Sequence, residues 1–149
     1  MVYFGGTYSG KLDDKGRVPF PAPFRKRLEE GDKEQIVCRF NPASNCLQVY
    51  TMSVWAEKCN KMYENFDEYE DNDSAHLEDF FKKSYYVDID SAGRILLNKT
   101  LKGFIKAENE VTFSGNGKYI HIYKKEDNDE DQIPNAETEN EIKARLKRK

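Results

Sequence analysis

The sequence predicts an α+β chain made of two copies of one small β-rich unit with short helices. The first observation behind this is a turn that occurs twice, Asp13-Asp14-Lys15-Gly16-Arg17 and Asp90-Ser91-Ala92-Gly93-Arg94, with starts 77 residues apart. The second is that the flanking pattern repeats as well. Val18-Pro19-Phe20 answers Ile95-Leu96-Leu97, and Phe24 and Leu28 fall opposite Leu101 and Ile105. With two-residue slips in loops, Gln35-Ile36-Val37 meets Glu110-Val111-Thr112, and Gln48-Val49-Tyr50 meets His121-Ile122-Tyr123. A unit that recurs element by element is a duplicated fold. The third is size: 149 residues, 38% hydrophobic and 34% charged, give each half only a thin core. Small units of this kind share a core or self-associate.

Each element has a local cause. Thr7–Leu12 carries strand formers, and Asp13–Gly16 is a turn in which Gly16 supplies a positive φ and Asp13 bonds backbone N–H groups ahead of it. Arg17–Phe20 is a second strand, ended by Pro21. A short helix is expected over Ala22–Glu30, with Phe24 and Leu28 on one face and Gly31 as its stop. Gln35–Phe40 and Cys46–Thr51 form a hairpin around Asn41–Asn45. From about Ser53, Trp55, Cys59, Met62, Tyr63 and Phe66 mark one apolar helix face. Asp67–Asp73 is an acidic loop, after which Asp73 or Ser74 caps a helix carrying Leu77, Phe80 and Phe81. The second unit follows as strand Tyr85–Ile89, the turn, strand Arg94–Leu97, helix Asn98–Ile105 and a hairpin around Asn116-Gly117. Four segments result: 1–66, a first unit with its following helix; 67–84, the acidic loop and inter-repeat helix; 85–125, a second unit; and 126–149, a tail. The tail is acidic, then basic and weakly helical over Ile142–Lys149, and its composition is that of a mobile segment.

The net charge of −3 is unevenly spread. Met62–Phe80 and Glu126–Glu141 hold eight acids each and no base, which leaves 11 acids against all 24 bases in the rest. Lys11, Lys15, Arg17, Arg25, Lys26 and Arg27 gather around the first turn. The local sign, not the total, decides whether a polyanion is attracted. The three cysteines are odd in number and lack Cys-x-x-Cys spacing, which suits a reduced, cytoplasmic setting without structural zinc. No signal-peptide pattern or membrane-length apolar run is present, so no membrane partner is expected.

Asp and Gly shape a turn, but a turn does not need a guanidinium immediately after it. Arg17 and Arg94 each offer five donors in a planar fork suited to phosphate oxygens or the O6/N7 edge of guanine. Their neighbours Asp13 and Asp90 either lock them in internal ion pairs or orient them for contact. Lys15, Gly16 and Gly93 belong to the same turns. Arg25, Lys26 and Arg27 are the wet face of a short helix or, by their nearness to Lys15 and Arg17, phosphate-binding groups. No catalytic constellation, phosphate loop, metal-ligand spacing or cofactor motif appears, and no small-molecule substrate is expected; His76 and His121 occupy ordinary helix and strand positions.

Leu12 to Ala22 with Phe24-Arg25 resembles the first signature of the MraZ transcriptional regulators, and Ile89 to Leu97 resembles their second. The resemblance spans roughly residues 1–125. It implies a duplicated relative of the AbrB-like swapped-hairpin β-barrel with a pseudo-two-fold inside the chain. It also implies a ring-shaped homo-oligomer that binds double-stranded DNA at direct repeats in the promoter of the division and cell-wall gene cluster, hence a nucleoid-associated protein. The family's Asp-x-x-x-Arg contacts carry over to Asp13/Arg17 and Asp90/Arg94. Ala92 stands where the first turn has Lys15, so the second turn is expected to bind more weakly. Asn98 replaces the proline matched by Pro21 and is expected to cap its helix instead. The rivals are an antitoxin-like DNA-binding protein and a structural homo-oligomeric scaffold with internally paired arginines; an enzyme ranks behind both.

Overall fold

The structure is a computed structural model in which residues 2–125 and 136–147 are described. Among the described residues eight strands and five α-helices follow in the order β1 (Thr7–Lys11), β2 (Arg17–Pro19), α1 (Ala22–Arg25), β3 (Gln35–Asn41), β4 (Cys46–Thr51), α2 (Met52–Asn65), α3 (Asp71–Lys82), β5 (Ser84–Asp88), β6 (Arg94–Leu96), α4 (Lys99–Ile105), β7 (Glu110–Asn116), β8 (Tyr119–Lys124) and α5 (Ala136–Leu146). Of the tail expected to be mobile, 126–149, residues 126–135 and 148–149 lie outside the described residues, and Ala136–Leu146 form α5.

Six strands form one antiparallel sheet in the order β1-β7-β8-β4-β3-β5, and β2 pairs with β6 as a separate ribbon. The sheet stays open, with β1 and β5 at its edges, rather than closing into a barrel. Its order reads the same from either end once repeat-mates are exchanged. β1 belongs by sequence to the first unit yet pairs with β7 of the second, while β5 of the second pairs with β3 of the first. The two units have swapped strands within one chain.

The registers locate the pseudo-two-fold. Gln48 lies opposite its repeat-mate His121 on β4–β8, and Val18 lies opposite its repeat-mate Ile95 on β2–β6. Loop bonds obey the same relation: the Phe20 N–H donates to Gly93 O and the Leu97 N–H to Gly16 O, each at 2.9 Å.

Strand side chains alternate between two faces. Ile36, Cys38, Leu47, Val49, Val111, Phe113, Ile120 and Ile122 face a shared core completed by Val18, Phe20, Phe24, Leu28, Ile95, Leu97, Leu101 and Ile105. On the opposite face Val37 and Tyr50 meet Val54 and Trp55 of α2 and Phe80 of α3. The Trp55 ring stacks on Phe80 with centroids 5.3 Å apart, and its Nε1–H donates to the Tyr86 hydroxyl at 3.1 Å.

Several boundaries differ from expectation. α1 ends at Arg25, because Arg27 and Leu28 already bond back to the carbonyls three residues earlier and Leu28 is tucked into the core. A separate 3₁₀ turn covers Glu30–Asp32. The cap of α3 is neither Asp73 nor Ser74 but Glu70, whose carboxylate accepts from the N–H groups of Asn72 and Asp73. Asp73 instead accepts from the Asp67 N–H at 2.8 Å, closing the acidic turn on itself. Asn98 caps α4 as expected, accepting from Leu101 N–H at 2.9 Å.

Because the halves share one core, damage to either should destabilise both. Phe113→Ala removes a fully buried ring packed edge-on against Phe20 at 5.9 Å. A loss of about 3–5 kcal/mol is expected, and Trp55 fluorescence should shift with far-UV circular dichroism in a single denaturant transition. A Trp55 transition left in place while the circular dichroism moves would contradict the shared core.

Candidate nucleic-acid interface

The doubled turn is built the same way in both copies. Asp13 Oδ1 accepts from the backbone N–H groups of Lys15 and Arg17, each at 2.9 Å, and Oδ2 accepts from Arg17 Nε at 2.8 Å. Asp90 Oδ1 accepts from Ala92 N–H at 2.9 Å and Arg94 N–H at 2.8 Å, and Oδ2 from Arg94 Nε at 3.0 Å. Backbone bonds close each loop: Asp13 N–H to Arg17 O and Gly16 N–H to Asp13 O, then Asp90 N–H to Arg94 O and Gly93 N–H to Asp90 O. The glycines take φ +86° at Gly16 and +78° at Gly93, which a side-chain-bearing residue adopts only at a cost.

Each aspartate therefore spends one oxygen shaping the turn and the other holding the arginine by its Nε. Among the described residues no bond is made by the terminal nitrogens of either guanidinium. The arginine side chains remain 35% and 37% exposed. The ion pair that could have sequestered them instead orients them. Both carboxyls are held below the ordinary aspartate value of 3.8. The largest cause is the backbone N–H of the paired arginine, opposed by partial desolvation and reinforced by the Nε bond.

The β2–β6 ribbon sets the spacing of the two arginines. Val18 and Ile95 point into the core, so Arg17, Pro19, Arg94 and Leu96 share the outer face. Arg17 is opposite Leu96 and Arg94 is opposite Pro19. The arginines are thus diagonal neighbours, a relation that spans roughly 7–8 Å and somewhat less between Cβ atoms.

Of the helix-borne bases, Arg25 is not where its position in the sequence suggested. It lies against the second turn, not the first. Its Nε donates to Phe20 O at 3.2 Å, and its guanidinium covers Gly93, where a Cβ would come within 2.6 Å. The two-fold puts Lys102, the repeat-mate of Arg25, beside Gly16 in the same way, its Cδ 3.5 Å from the position of a Cβ there. Sequence reasoning missed Lys102, although its spacing from Arg25 matches the 77 residues between the turns. Each corner thus combines a turn from one unit with a base from the other: Lys15, Arg17 and Lys102 at the first, Arg94 and Arg25 at the second. Arg25 answers Lys102, so the second corner still has one charge fewer, Ala92 standing where the first has Lys15. Lys26 is exposed and lines a cleft beside the second turn, whereas Arg27, also exposed, does not line it.

Other reactive side chains lie elsewhere. Cys38 is enclosed in the core and burial pushes its thiol up to about 12. His121 is lowered by desolvation and sits within 3.3 Å of Asn116 Nδ2. Among the described residues no three His, Cys, Asp or Glu side chains converge as metal ligands, and no helix is long and apolar enough to cross a membrane.

The lowered carboxyls make the turns acid-sensitive. Each folded-state value lies below 3.8, so each contributes stability that is complete above that pH and lost as pH falls through the folded value. Carboxyl-carbon NMR titration should place the midpoints of Asp13 and Asp90 below 3.8, with the Arg17 and Arg94 Nε signals moving in step. Midpoints at or above 3.8 would remove the orienting role.

Comparison with known proteins agrees with the duplication. The family model described as "MraZ protein, putative antitoxin-like" matches residues 3–76 and again 80–148, one match to each half. A protein of Bacteroides thetaiotaomicron named transcriptional regulator MraZ is 31% identical over 126 residues, covering 85% of this chain and 81% of its own. Its namesake in Bacteroides fragilis is 29% identical over 126 residues, covering 85% and 80%. That of Anaeromyxobacter dehalogenans is 30% identical over 127 residues, covering 85% and 88%. With both halves of the chain matched in order, and with the two matches falling on units that the fold relates by its pseudo-two-fold, this protein belongs to the MraZ family.

Proposed function

We propose that this protein is a transcriptional regulator that binds double-stranded DNA through the outer face of the β2–β6 ribbon. The observation that carries this reading is the pair of guanidiniums held only at Nε, their terminal nitrogens without a bond among the described residues, on side chains about a third exposed on one face of a strand pair. A structural scaffold would be expected to consume those donors internally. The major groove admits a two-stranded ribbon, and a guanidinium fork fits guanine O6 and N7 there. At this diagonal separation of roughly 7–8 Å, Arg17 and Arg94 address bases about two steps apart, since successive bases on one strand rise about 3.4 Å. Lys15 and Lys102 flank one corner and Arg25 the other, placed to add backbone contacts that position rather than specify.

One protomer offers a small contact area of this kind, so useful affinity needs several copies. A ring-shaped homo-oligomer on direct repeats supplies it, because each further contact is made at high effective concentration. The relatives' names as transcriptional regulators support the same role. In this reading the target is a set of promoter repeats in the division and cell-wall gene cluster, the protein works at the nucleoid, and no reaction is catalysed.

The test is binding to duplex DNA from upstream of the protein's own gene, by footprinting and fluorescence anisotropy at matched salt. Regularly spaced protection is expected. Arg17→Ala/Arg94→Ala should lose about 1–3 kcal/mol per base contact and relax sequence preference. Equal binding by the wild type and the double variant would refute the assignment.

A further inference from the structure

The cleft between α1 and the second turn is lined by residues several of whose repeat-mates differ from them in charge. It has a volume of about 320 Å³, and its cationic lining is Arg25, Lys26 and Lys33, beside Ser91, Gly93 and Asp90. Asp90 is already occupied, with one oxygen on two backbone N–H groups and the other on Arg94 Nε. Lys26 makes no ion pair among the described residues. Lys33 pairs only with Glu30 at 3.2 Å, in a contact 51% and 93% exposed that solvent screens.

At the mate positions, Lys99, Lys102, Gly103 and Glu108 replace Ala22, Arg25, Lys26 and Lys33, while Asp13 and Asp14 replace Asp90 and Ser91. By sequence the mate positions carry two lysines and three acids, Asp13 among them engaged as Asp90 is, whereas this cleft is lined by three cations and Asp90, with the exposed Glu30 on Lys33. The two turns close with the same backbone bonds on both sides, so the turn itself does not require this concentration of positive charge. Like charges around one cleft repel, and an anion between them removes that cost.

We propose that this cleft is a binding site for a phosphate group. Arg25 supplies a planar fork whose Nε is already fixed on Phe20 O, so little freedom is lost when its terminal nitrogens meet two phosphate oxygens. Lys26 and Lys33 add mobile point charges, and the Ser91 hydroxyl adds a further donor. Leu28, Ile89 and Ala22 form an apolar wall, which strengthens the attraction by excluding water from one side. Gly93 is required twice: for its positive φ and because any side chain there would displace the Arg25 guanidinium. The phosphate has two possible sources, a phosphodiester of bound DNA or a free phosphate. In the first form the site rests on the DNA-binding reading above; in the second it does not.

The experiment is an amide and arginine Nε NMR titration of the full chain with inorganic phosphate against chloride at matched ionic strength. Saturable shifts are expected at Ser91, Gly93 and Arg25 Nε, with Gly16 and Lys102 unmoved. Arg25→Gln/Lys26→Gln should weaken this at least tenfold while leaving the denaturation midpoint in place. The same variant is then tested on duplex DNA. A salt slope shallower by about one, the equivalent of one lost phosphate contact, identifies the DNA backbone as the source. Saturable phosphate binding with an unchanged DNA slope identifies a free phosphate. Absence of saturable shifts together with an unchanged DNA slope overturns the site, and leaves the DNA reading to stand or fall on the Arg17/Arg94 variant.

Discussion

Each turn depends on one carboxylate whose two oxygens have different tasks. One oxygen collects two backbone N–H groups and fixes the loop; the other holds the following arginine at Nε. A surface Asp–Arg pair adds little to stability, because solvent screens it and ordering the long side chain costs entropy. Its consequence here is directional. The guanidinium loses freedom before any ligand arrives, and its terminal donors have no bond among the described residues. Repetition on the two strands of one ribbon converts a common surface contact into a pair of part-exposed forks on one face.

Strand exchange makes that arrangement possible. Had β2 and β6 each stayed within its own unit, the two turns would not share a ribbon. Because they pair with each other about Val18 and Ile95, the arginines become diagonal neighbours, and each turn receives a base from the opposite unit. Arg25 over Gly93 and Lys102 beside Gly16 are the same contact seen from the two sides of the pseudo-two-fold. The charges do not follow the pseudo-two-fold: the cleft beside the second turn is lined by Arg25, Lys26 and Lys33, whereas the repeat-mate positions carry Lys102, Gly103 and Glu108.

The duplication and most strands were legible in the sequence, because turn chemistry and alternating apolar residues are local. Asp, Gly and Arg at constant spacing marked the turns; Asn116-Gly117 marked a hairpin; Trp55, Cys59, Met62 and Tyr63 marked a helix face. What sequence reasoning could not supply was partner choice between strands, since β1 pairs with β7 across more than a hundred residues. The placement of Arg25 failed for that reason: closeness to Lys15 and Arg17 along the chain says nothing about an antiparallel ribbon that brings in the other turn. Lys102 could have been found by applying the 77-residue offset to Arg25. Glu70 was passed over as a cap because shorter Asp73 and Ser74 are commoner in that role; its longer side chain still reaches two N–H groups.

The most direct measurement is guanidinium NMR of Arg17 and Arg94 in the free chain and on adding duplex DNA. In the free state the Nε–H groups should exchange slowly while the terminal N–H groups exchange rapidly with water. On DNA the terminal groups should shift and become protected, with the Nε–H signals still reporting the bond to aspartate. Terminal groups protected in the free chain and indifferent to DNA would show that these arginines serve the protein's own structure.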